Sequence, residues 1–182
     1  MSHADRPDPD SLVLDNGQAA ATAEQVLAAL ESLGIEHTTT VHRALYTVED
    51  AKAVRYEQPG AHTKNLFLRN KKGRMFLLVI EQDRTVDLRA LREQLALPGG
   101  QLAFASTERM ERYLGVVPGS VTPLAVFNDH AGKVQVIIES ALLESDWIYV
   151  HPCRNTHTTR IRTKALVECL QAWNHEPIML PF

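Results

Sequence analysis

The stretch NLFLRNKKGRMFLLVI, residues 65–80, decides the fold. Two apolar runs, 65–69 and 74–80, flank Asn70-Lys71-Lys72-Gly73, and a polar break closed by glycine between two such runs predicts a β-hairpin. The second run is apolar without interruption from Met75 to Ile80, so its strand is expected to be buried on both faces.

Upstream, Thr22 and Gln25 form a capping box for a helix with a buried stripe of Val26, Leu27, Leu30 and Leu33, stopped by Gly34. A strand over 35–41, a short helix over 47–54 and the loop Glu57-Gln58-Pro59-Gly60 lead into the hairpin. Downstream, Asp87 caps a helix carrying Leu88, Leu91 and Leu95. A short strand follows over 101–105, and Ser106 caps a helix that ends near Leu114 with Gly115 behind it. A second hairpin is expected from 124–127 and 133–138, turning at Asp129-His130-Ala131-Gly132. A strand over 147–150, an amphipathic helix over 164–173 and an extended 177–180 complete the chain. Adjacent hairpins with irregularly inserted helices predict an α+β fold with a mixed sheet, not an alternating βαβ wheel.

Residues 22–182 contain no repeat and no linker, which predicts one domain there. Residues 1–21, with Asp5, Pro7, Asp8, Pro9, Asp10 and Asp15, are expected to form an acidic flexible tail. The 182 residues are 45% apolar with a net charge of −3, and no apolar run approaches the roughly 20 residues of a membrane span, so a cytoplasmic protein without membrane contact is expected. Two cysteines, Cys153 and Cys169, exclude a disulfide-stapled scaffold and a four-cysteine zinc site.

Nucleic-acid contact in so acidic a chain requires local patches. Lys64, Arg69, Lys71, Lys72 and Arg74 make one; Arg154, Arg160, Arg162 and Lys164 make another; no acid interrupts either. By composition alone such runs are more often plain solvated faces. The zinc-protease, phosphate-loop and serine-elbow signatures are absent. Ser120 lacks a strand-to-helix turn and reads as a loop serine. Cys153, two residues after His151, reads as either a thiolate partner or a buried structural cysteine. The eight histidines show no ligand spacing, so neither metal nor cofactor is expected. Lys64 stands at a strand mouth, where a lysine binds phosphate or polarises a carbonyl, or is a plain surface charge.

The segments Gly60-Ala61-His62-Thr63-Lys64-Asn65-Leu66-Phe67-Leu68, Gly119-Ser120-Val121-Thr122-Pro123 and His151-Pro152-Cys153-Arg154-Asn155-Thr156-His157-Thr158-Thr159 occur in that order. Together they resemble the YbaK/ProX editing family. The likeness runs from about Ala23 to Leu180 and includes Phe104-Ala105-Ser106, Asn128-Asp129 and His175-Glu176-Pro177. It is strongest to the free-standing branch that removes alanine from mischarged tRNA(Pro).

The resemblance implies a partly curled mixed sheet flanked by helices, and hydrolysis of the ester between an amino acid and the terminal ribose of tRNA. It places the family's key lysine on Lys64. Asn65, the loop residues Gly119, Ser120, Thr122 and Pro123, and His151 and Asn155 become substrate contacts. It implies the acceptor end of tRNA(Pro) as partner, with prolyl-tRNA synthetase as a possible second one, and hydrolysis by a positioned water with help from a ribose hydroxyl of the tRNA, no residue of the chain being an obvious general base. Cys153-Arg154 and His157 depart from the family's commoner residues. Cysteinyl-, seryl- or threonyl-tRNA deacylation, or a non-catalytic module that binds aminoacyl-tRNA or a synthetase, are the alternatives.

Overall fold

The structure, a computed structural model, describes residues 8–45, 49–50, 54, 58–96 and 100–182. Its helices are α1 (Ala23–Ser32), α2 (Leu88–Gln94), α3 (Thr107–Leu114) and α4 (Thr163–Ala172). Its strands are β1 (His37–Val41), β2 (Ala61–Arg69), β3 (Met75–Glu81), β4 (Ala103–Phe104), β5 (Val134–Glu139), β6 (Trp147–Val150), β7 (His157–Arg162) and β8 (Ile178–Leu180). Hydrogen bonding orders them β1-β7-β6-β2-β3-β5-β8, with β4 beside β2. The sheet is mixed: β2–β3, β6–β7 and β1–β7 run antiparallel, while β2–β6, β3–β5 and β5–β8 run parallel.

The central hairpin is as its sequence predicts. Leu66 pairs with Leu78 and Arg69 with Met75, and Gly73 closes the turn at φ 81°. Strand periodicity then divides β3 between two cores. Met75, Leu77 and Val79 join Val26, Leu30, Leu114, Leu166 and Leu170 on one face, under α1, α3 and α4. Phe76, Leu78 and Ile80 join Leu68, Ile137 and, from α2, Leu91 on the other. That second layer stops at β2. Beyond it, the same face of β6 and β7 carries Trp147, Arg160 and Arg162, none of them buried.

The caps form as their chemistry dictates. Thr22 and Gln25 close a reciprocal box, Asp87 Oδ1 accepts from the Arg89 and Ala90 amides, and Ser106 accepts from Arg109. Gly115 ends α3 in the left-handed region at φ 62°, where an added Cβ would lie 2.7 Å from both Ala20 and Asn128.

Three expectations change, and one falls largely outside the described residues. Residues 124–127 are not a strand: Pro123–Asn128 is a 3-10 helix, with Ala125 N–H bonded to Thr122 O and Asp129 N–H to Val126 O. Proline at its first position fixes φ and removes a ladder donor, so β5 pairs with β3 and β8 and not with a hairpin partner. Second, β7 lies where the sequence shows a basic run. Third, the helix expected over 47–54 falls largely outside the described residues, of which Glu49 and Asp50 are helical; Glu57 of the expected loop is also outside them.

Fourth, within the expected acidic tail, residues 8–21 are packed. Leu12, Leu14 and Ala20 are buried with Val117. Asp10 pairs with Arg154, whose guanidinium also donates to Pro9 O and Cys153 O, and Asp15 pairs with Lys133. Asp10 and Asp15, two of the acids that suggested disorder, are partners of folded cations, and Asp8 accepts the Asp10 N–H. Residues 1–7 lie outside the described set.

Candidate active site

One edge of β2 is shared by two strands. Ala61 and His62 pair with β6, Leu68 and Arg69 with β4, and Phe67 O accepts the Ala105 N–H at 2.9 Å. Even-numbered residues of β2 bond to β3, as His62 O does with Gln82 N–H. The main-chain groups of Asn65 therefore point into the gap between β6 and β4. The gap widens into a cleft of about 430 Å³, lined by Lys64, Asn65, Phe67, Phe104, Gly119, His151 and neighbours that include Leu45, Met110 and Val121.

Lys64 and His151 meet there for a topological reason. Parallel β2 and β6 set His62 opposite Tyr149, and two more places along that register bring Lys64 level with His151 on the same sheet face. The His62 and Tyr149 rings, stacked 4.7 Å apart, floor that face just before the cleft. Gly60 permits the approach, because a Cβ there would stand 2.7 Å from the Tyr149 ring.

The tautomer of His151 is fixed. Its Nδ1 lies 2.7 Å from the His157 carbonyl, which can only accept, so Nδ1 carries the proton and Nε2 presents a lone pair. Burial pushes its pKa down; the hydrogen bond to His157 opposes this, and the charge of nearby His42 adds to the lowering. The ring is neutral at physiological pH. Thr158 Oγ1 sits between the two imidazoles, 2.8 Å from His42 Nε2 and 3.5 Å from His151 Nδ1.

The opposite wall is the turn Val117-Pro118-Gly119-Ser120, closed by Ser120 N–H to Val117 O at 2.9 Å. Proline second and glycine third, the latter at φ 93°, is the type II pattern, and a side chain at Gly119 would be strained. Asn65 Nδ2 donates to Val121 O at 3.0 Å and ties this loop to β2. Among the described residues, neither the Gly119 nor the Val121 N–H bonds to a main-chain carbonyl.

Not every expected contact reaches the cleft. Ser120, Thr122 and Pro123 are buried behind its wall. Asn155 is buried too, and its amide donates to Leu45 O at 3.0 Å while Leu45 N–H bonds back to Asn155 O at 2.9 Å. It holds a lining residue in place. Asn128 and His175 are likewise structural: Asn128 bridges Ala21 N–H and Leu114 O, and His175 contacts the carbonyls of Val134 and Asp129. Cys153 is fully buried and its thiol is pushed up to about 12, so it supplies no thiolate.

The second basic patch is partly spoken for. Arg154 is paired with Asp10, and the Arg160 and Arg162 guanidinium carbons lie 3.6 and 4.0 Å from the Trp147 ring centre. Leu45, Thr107 and Met110 line the cleft without having been singled out, and Phe104, noted only within the family likeness, joins them, since only the folded chain brings them to Lys64. Among the described residues, no three His, Cys, Asp or Glu side chains cluster as a metal site. No helix among them is long and apolar enough to cross a membrane.

Residues 42–169, which contain Lys64, the Gly119 turn and His151, match the aminoacyl-tRNA editing domain. The chain belongs to the aminoacyl-tRNA editing domain family. The editing domain is 33% identical over 150 residues to the prolyl-tRNA editing protein ProX of Acetoanaerobium sticklandii, covering 82% of this chain and 90% of that one. It is 35% identical over 162 residues to prolyl-tRNA synthetase associated domain-containing protein 1 of Xenopus laevis, covering 87% and 96%. Its fold matches the crystal structure of a candidate trans-editing enzyme for prolyl-tRNA synthetase with a TM-score of 0.66 at 20% identity, over 88% of this chain and 96% of that one.

Proposed function

We propose that the protein is a trans-editing deacylase that hydrolyses the ester of alanyl-tRNA(Pro) after prolyl-tRNA synthetase has mischarged it. The observation that carries this reading is the meeting of Lys64, His151 and the Gly119 turn around one cleft, each from a different part of the chain. The family and the names of its relatives point to the same substrate class.

The chemistry follows from the groups present. A water held by His151 Nε2 attacks the ester carbonyl and gives its proton to that nitrogen. The N–H groups of Gly119 and Val121 face the oxygen on which charge develops, with the Lys64 ammonium adding a positive field. Collapse of the tetrahedral species breaks the bond to the ribose 3′ oxygen, which takes the proton from His151, and alanine leaves with the water's oxygen. Leu45, Phe67, Met110 and Val121 line the cleft with apolar surface for a small side chain. A synthetase pocket cannot exclude alanine by size, because lost methylenes cost only about 1–3 kcal/mol of binding, so a second site that rejects the proline ring supplies the missing discrimination.

The test is deacylation of alanyl-, prolyl-, cysteinyl- and seryl-tRNA(Pro) side by side. Loss of alanine alone is expected, with Lys64→Ala slowing it by about 10²–10³-fold, the cost of removing one electrostatic stabiliser. Faster release of cysteine or serine would change the specificity. Tight tRNA binding with no hydrolysis would make the protein a carrier of aminoacyl-tRNA.

A further inference from the structure

We propose that Phe104 is a nucleobase subsite, the platform on which the terminal base of the RNA substrate stacks; this rests on the deacylase reading above. Phe104 is 62% exposed, although the chain on either side is firmly held. Its partner in the sheet is Leu68, the next residue's N–H bonds to Phe67 O at 2.9 Å, and Ser106 caps α3. A ring fixed by its backbone yet left in solvent is preorganised for a ligand and loses little entropy on contact.

Its place in the sheet sets its direction. Side chains alternate along β2, so Lys64 and Leu68 share a face, and Phe104 opposite Leu68 lies on that face too. Both Phe104 and Lys64 line the cleft. Four residues of strand separate their levels, about 13 Å at the usual rise, and the Lys64 and Phe104 side chains extend from those levels into one cleft. With the ester at Lys64 and His151, the base of the same nucleoside reaches Phe104, and Thr107 and Met110 of α3 line the same cleft. An aromatic face accepts any base, so this subsite contributes affinity and placement without reading sequence.

Phe104→Ala and Phe104→Trp should be compared on alanyl-tRNA(Pro) and on a base-free alanyl ester of ribose. Phe104→Ala is expected to raise KM for the tRNA roughly 5- to 100-fold at unchanged kcat, with Phe104→Trp restoring it and the base-free ester unaffected. In parallel, NMR titration of the wild-type protein with the trinucleotide CCA should shift the Phe104 ring resonances. An unchanged KM, an equal loss on the base-free ester, or an unmoved ring would each overturn the subsite. If the wild-type protein hydrolysed no aminoacyl-tRNA, the deacylase reading would fall, and the trinucleotide titration alone would decide the subsite.

Discussion

At the scale of single residues, the functional state of His151 is set by what it touches. Its Nδ1 proton is committed to the His157 carbonyl, and burial favours the neutral ring. A base must be unprotonated to act, and the lowered pKa keeps this form present at and above the ordinary histidine value of about 6.5. Activity should therefore be lost only as pH falls through a pKa below that value. The kcat–pH profile checks this: His151→Gln should cost about 10²–10⁴-fold and abolish the acid limb. A limb at or above the ordinary value would show that another group titrates. The sequence names this histidine but not its role, because the partner that fixes its tautomer is a main-chain carbonyl of β7, a strand hidden in a basic run.

At the scale of elements, the cleft exists because β2 has two partners on one edge and Asn65 faces the space between them. Lys64 is in place because a nine-residue strand carries it, and His151 because β6 runs parallel to that strand. Asn155 serves at this scale as well. Asn155→Ala would leave Leu45 O without its buried donor, at a cost of about 1–3 kcal/mol, and would loosen one wall of the cleft. Chemical denaturation should show that loss together with a raised KM; a variant of undiminished stability with raised KM would instead make Asn155 a direct substrate contact. The hairpin, the caps and the helices over 23–32, 88–94 and 107–114 were legible in the sequence, because each depends on neighbours a few residues away. The 3-10 helix at Pro123–Asn128 was not: its apolar residues read as a strand until the parallel pairing of β5 is known.

At the scale of the whole molecule, the N-terminal segment is part of the fold. Leu12 and Leu14 are 6% and 5% exposed, and full burial of a leucine is worth roughly 1.5–3 kcal/mol. Leu12→Ala with Leu14→Ala should lower the unfolding free energy by several kcal/mol in urea denaturation, whereas a tail without contacts would tolerate both changes within error. The sequence by itself determined the α+β class, the doubly buried β3, the family and the three segments that carry Lys64, the Gly119 turn and His151, because periodicity, capping and motif order are local properties of the chain. Only the tertiary structure decided which of those residues meet. Asn155 and Thr122 are turned into the protein, Phe104 is turned out, and Asp10 and Asp15 find Arg154 and Lys133. Strand order and register are set by apolar burial summed over the whole chain, and no window of sequence contains that sum.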